Sequence, residues 1–153
     1  MATVNSSVAA ARAALPQQLV KLNQQGADVQ ILVSTYTVPA GGVPIADKIK
    51  WGSLPLGARL LPTTKLYFGA GAASSTLNLG DTVSQARYLA ATSVAAAGNA
   101  TAEAVYANGG LFDVAVVAPG QATDQSELFS TVAGAALQAG QVITLVAQYA
   151  GQN

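Results

Sequence analysis

Acid–base and nucleophilic centres are built most often on groups that exchange a proton near neutral pH, yet the 153 residues contain no histidine and no cysteine. Ser-His and Cys-His arrangements, thiolate metal sites and disulfides are therefore excluded. Seven carboxylates remain: Asp28, Asp47, Asp81, Glu103, Asp113, Asp124 and Glu127. Asp124 and Glu127 form the one near pair, in a Gln/Thr/Ser-rich stretch that reads as a solvated loop or hairpin. Asp-x-Asp spacing, which a calcium loop uses to concentrate oxygen ligands, is missing. Serines are plentiful, but no Ser-x-x-Lys activates one. Gly69-Ala70-Gly71 follows an expected strand as a dinucleotide-binding turn does, without the third glycine and without a helix to receive a phosphate. Asn99-Ala100-Thr101 is a glycosylation sequon in letters only. The sequence reads as a non-enzyme with no catalytic residue, cofactor, metal or small-molecule substrate.

The charges that remain are few and balanced. Seven Lys and Arg face seven Asp and Glu, and charged residues are 9% of the chain against roughly a quarter in an ordinary soluble domain. Arg12, Lys21, Lys48, Lys50, Arg59, Lys65 and Arg87 are scattered, whereas phosphate-backbone binding needs a clustered positive footprint. Nucleic acid is thus not an expected partner. Nor is a membrane, because no apolar run approaches the roughly 20 residues that span a bilayer. The start of the chain lacks a basic region followed by an apolar core, so synthesis and retention in the cytoplasm are expected. Low charge density with zero net charge suits a subunit whose outer faces are covered by other subunits.

The elements that would carry such contacts fall into two parts, an arm over residues 1–27 and a β domain over residues 28–153. In the arm, Ser6 and Ser7 can cap the alanine-rich VAAARAAL, and Pro16 opens a second short helix ended by Gly26. Val8, Ala11, Leu15, Leu19 and Leu22 recur every three or four residues as one apolar stripe. Helices this short do not persist alone in water, so the stripe must dock on the β domain or on a neighbouring subunit.

From Val29 the chain turns to Val, Ile, Thr, Tyr and Leu, with Gly and Pro punctuating it. This predicts strands over 29–38, 48–51, 60–68, 75–79, 86–90, 111–118, 128–132 and 141–149. The expected fold is all-β, an antiparallel β-sandwich of jelly-roll-like form with a partly helical N-terminal arm. Pro39-Ala-Gly-Gly, Asn108-Gly-Gly and Pro119-Gly-Gln are turns. Pro62 marks an edge or a bulge within its strand. Residues 92–108 are open between a short helical turn and an extended loop. Ile143, Leu145, Ala147 and Tyr149 form the core face of the last strand. Trp51, Tyr67, Phe68, Tyr88, Phe112, Phe129 and Tyr149 are expected in the core. Tyr36 and Tyr106, with Val8, Arg12, Leu15, Leu19 and Leu22 of the arm, are the candidate subunit contacts.

The stretch Leu54–Ala91 runs LPLGARLL, an apolar strand, a loop of only Gly, Ala and Ser from Gly69 to Ser75, then TLNLGD and ARYLAA. With the closing AGAALQAGQVITLVAQY, this order of turns and strands resembles the small all-β structural proteins of tailed bacteriophage virions, over roughly residues 28–150. The resemblance implies a capsid decoration, or cement, protein on the outer surface of the head that bridges neighbouring major capsid subunits and stiffens the shell. It also implies association with further copies of itself, with a trimer as one possibility, and residence in the virion after synthesis in the host cytoplasm. A tail or head–tail connector protein and a carbohydrate-binding sandwich are the alternatives. The latter requires aromatic residues exposed together on one face.

Overall fold

The alternation of apolar and polar residues that marks the last segment is realised over its whole length. The computed structural model describes residues 28–55, 58–81, 83–102 and 125–151. Within them β9 (Val142–Ala150) buries Ile143, Leu145 and Ala147 completely. Successive residues of a strand point to opposite faces, so Val142, Thr144, Val146 and Gln148 form the outer row. Tyr149 packs half-buried against the core.

Eight further strands among the described residues surround this one: β1 (Val29–Thr37), β2 (Lys48–Pro55), β3 (Arg59–Leu60), β4 (Lys65–Phe68), β5 (Thr76–Leu79), β6 (Leu89–Ser93), β7 (Gly98–Thr101) and β8 (Gln125–Ala133). Their antiparallel pairings are nested, β1 with β9, β2 with β8, β4 with β7 and β5 with β6. The chain therefore folds as one long ribbon whose tip is the β5–β6 pair. Rolling that ribbon brings β4 against β9 and β5 against β8. Two sheets result, ordered β1-β9-β4-β7 and β2-β8-β5-β6, with β3 appended to β9. This is the jelly-roll order, and no helix occurs among the described residues. The arm, the strand expected over 111–118 and the turns at Asn108 and Pro119 lie outside them.

One core lies between the sheets. Ile49, Trp51 and Leu54 of β2, Leu128 and Val132 of β8, and Leu77 and Leu79 of β5 face Leu66, Phe68, Ile143, Leu145 and Ala147 of the opposite sheet. Burying each Val, Leu, Ile or Phe side chain among them stabilises the fold by about 1.5–3 kcal/mol. Trp51, Phe68 and Tyr88 are core residues as expected, and Phe129 is half-buried. Tyr67 is not a core residue. It lies on the outer face of β4 with 42% of its surface exposed.

Several boundaries differ from the sequence expectation. The strand expected over 60–68 is broken. Arg59 stands opposite Ala150 and Lys65 opposite Val146, so six steps of one chain match four of the other. Two residues are looped out around Pro62, which has no N–H to give the ladder. Thr64 bridges the gap with its side chain: its hydroxyl lies 3.1 Å from the Gln148 carbonyl oxygen and 3.0 Å from the Gln148 N–H. β2 runs on to Pro55 through a bulge at Trp51. The strand expected over 86–90 starts at Leu89, because the chain before it is drawn into a turn around Asp81. Gly98–Thr101, expected as helical turn or loop, is strand β7 and pairs with β4. Glu127, expected in a solvated loop or hairpin, is in strand β8.

Candidate interaction surface

The residues singled out for chemistry serve the fold. Gly71 passes so close to Gln141 that a Cβ on it would lie 2.5 Å from the amide oxygen. The buried Gln141 side chain donates from Nε2 to the Gly69 carbonyl at 2.8 Å and to the Val94 carbonyl at 3.0 Å. The small-residue loop thus accommodates a side chain of its own chain, pinning the start of β9 to the ends of β4 and β6. Asp81 is a buried carboxylate with a similar task. Its Oδ1 accepts from the N–H groups of Val83 and Ser84 at 2.9 and 2.8 Å, and its Oδ2 accepts from the Tyr88 hydroxyl at 3.2 Å. Arg87 Nε lies 2.9 Å from the same Oδ2 as an ion-pair contact without hydrogen-bond alignment. A Cβ on Gly80 would lie 2.1 Å from the Ser84 carbonyl oxygen, so only glycine fits where this loop closes on itself. Among the described residues no three metal-ligating side chains gather. Asn99 and Thr101 of the sequon are residues of β7.

The outer faces of the two sheets differ in character. On β2 and β8, Lys50 and Glu127 form a salt bridge and Lys48 lies 5.6 Å from the centroid of the Phe129 ring. The other sheet presents Val29, Ile31 and Val33 of β1, exposed by 59%, 60% and 62%. Register carries this row onto β9, where Val33 stands opposite Val146 and Thr37 opposite the exposed Val142. Thr35 and Thr144 share a hydroxyl hydrogen bond at 3.0 Å, and Tyr67 of β4 lies opposite Thr144. Among the described residues, the charged side chains on this face are Lys65 and, at its buried end, Arg59.

Of the contact residues expected from sequence, Val8, Arg12, Leu15, Leu19, Leu22 and Tyr106 lie outside the described residues. Tyr36 is half-buried on the inner side of β1 and packs against the core. The exposed row of β1 was not among those candidates, although its signal is present. Ile31-Leu32-Val33 places apolar residues on both faces of one strand, the pattern of a strand covered on both sides.

The chain matches no protein-family model and no curated protein. It is similar in structure to a chain in the capsid of Ralstonia phage GP4, with a TM-score of 0.62 and 21% identity over 82% of this chain and 86% of that one. It is also similar to a chain of the cyanophage Pam1 capsid asymmetric unit, with a TM-score of 0.61 and 25% identity over 99% of this chain and 100% of that one.

Proposed function

We propose that the chain is a structural protein of a bacteriophage virion, a decoration or cement protein that lies on the outer surface of the head and bridges neighbouring major capsid subunits. The observation that carries this reading is the end-to-end likeness to a chain of the cyanophage Pam1 capsid asymmetric unit, equal to this one in extent as well as fold. A jelly roll alone would not carry it, since the same fold serves lectins and cupins. Charge supports it, because a neutral chain with 9% charged residues has surface suited to burial against other subunits.

In this role the sandwich is a rigid block and the chemistry is non-covalent. The stripe of Val8, Leu15, Leu19 and Leu22, with Arg12 beside it, lies against a neighbour, and burial of its apolar surface in many copies stiffens the shell. The protein acts without catalysis, and its partners are the major capsid protein and further copies of itself.

Particles assembled with and without the protein provide the test. The protein is expected in purified particles at a fixed ratio to the major capsid protein, and shells lacking it should break at a lower temperature until purified protein is added back. Absence from particles, or shells equally stable without it, would overturn the reading. A copy number matching a single tail or connector ring would move it off the capsid surface.

A further inference from the structure

We propose that strand β1 is the surface through which one copy of this chain meets a second copy. β1 is an edge of its sheet, paired to β9 on one side and, among the described residues, to no strand on the other. An edge strand offers unpaired backbone N–H and C=O groups, and proteins that must stay apart blunt such edges with lysine, proline, bulges or short length. The β2 edge of the opposite sheet has Lys48, Lys50, a bulge at Trp51 and Pro55. β1 has none of these. Its nine residues, VQILVSTYT, contain no charge, proline or glycine, and its register with β9 is unbroken.

The outer side chains strengthen the contrast. Val29, Ile31 and Val33 are each about three-fifths exposed, and Val146 of β9 stands opposite Val33, which makes an apolar strip beside an edge that no described strand pairs. A second copy is the occupant this strip suits. A second β1 can lie against it in any register without opposing like charges, since the strand has no charge to oppose. The whole chain has no net charge to keep copies apart. Any second copy brings the same uncharged strand to the contact. This inference does not depend on what the assembly decorates.

The test is the solution mass of the full chain by size-exclusion chromatography with light scattering over a concentration series. The wild-type protein is expected at a multiple of its 15.3 kDa chain mass. The I31K/V33K variant should fall to the single-chain mass while keeping its circular dichroism. Val83→Lys and Ile45→Lys, which change exposed apolar residues outside β1, should assemble as the wild type does. A wild-type protein that stays a single chain at every concentration, or a double variant that assembles normally, overturns the proposal. If the double variant does not fold, hydrogen exchange of the wild-type assembly decides: β1 amides not bonded to β9 should exchange more slowly than those of the β2 edge, and equal rates overturn the proposal. Capsid binding enters none of these readouts, so the two proposals fail separately.

Discussion

Trp51 donates its indole N–H to the Ser130 hydroxyl at 2.8 Å, with both residues buried between the sheets. The bond depends on the bulge, because Trp51 is the extra residue that lets β2 keep pairing with β8 on either side of it. Ser130→Ala would leave the indole N–H without a partner in the core, at a cost of about 1–3 kcal/mol. Trp51 is also the one tryptophan, so urea unfolding followed by its emission measures the loss directly. An unchanged midpoint would mean that the indole finds another acceptor.

Asp81 holds the turn between β5 and β6 through three hydrogen-bond donors, two backbone N–H groups and the Tyr88 hydroxyl, and through its ion pair with Arg87. Asp81→Ala removes every acceptor at once and leaves a guanidinium in a largely buried site, so a loss of about 3–5 kcal/mol is expected. Tyr88→Phe removes one hydroxyl and should cost about 1 kcal/mol. Combined, the two should cost no more than Asp81→Ala alone, because the Tyr88 bond is already gone. Additive costs in a double-mutant cycle would show that the pair is not coupled.

Gly71 and Gln141 test the close approach behind the small-residue loop. Gly71→Ala drives a methyl group into an amide held by its bonds to Gly69 and Val94. Relief by rotating Gln141 would break both bonds, so a destabilisation of about 1–3 kcal/mol is expected. In a Gln141→Ala background the same methyl group should cost less, since its obstacle is absent. Equal cost in both backgrounds would place the constraint elsewhere.

What could be read in the sequence follows from which residues act locally. The alternation in Ile143–Tyr149 located β9 and most of its core face, and the small residues of the 69–75 loop are what leave room for the Gln141 side chain. Pro62 marked an edge or a bulge without deciding between them, because a looped-out pair of residues depends on Thr64 replacing two ladder bonds to Gln148. Alanine around Gly98 leaves a short helical turn and an extended loop both open on local grounds. Its strand conformation comes from pairing with Tyr67 and Phe68, tertiary context overriding a weak propensity. The exposed row of β1 was hidden for a related reason. Local pattern cannot distinguish a buried strand's second face from one that awaits a partner.

The near absence of charge on the β1-bearing face makes a prediction about salt. Between about 0.01 M and 1 M ionic strength the Debye length falls from about 30 Å to about 3 Å, so contacts held by charge weaken steeply over that range. The exposed row of Val29, Ile31 and Val33 has no charge to screen. Association through it should therefore hold the same mass across that span and tighten in sulfate, which strengthens apolar burial. The Lys50–Glu127 pair on the opposite sheet, exposed by 55% and 30%, would give the contrary behaviour if that face carried the contact. Light scattering across a sodium chloride series distinguishes them: a mass that falls as salt rises would assign the interface to the charged face and count against β1.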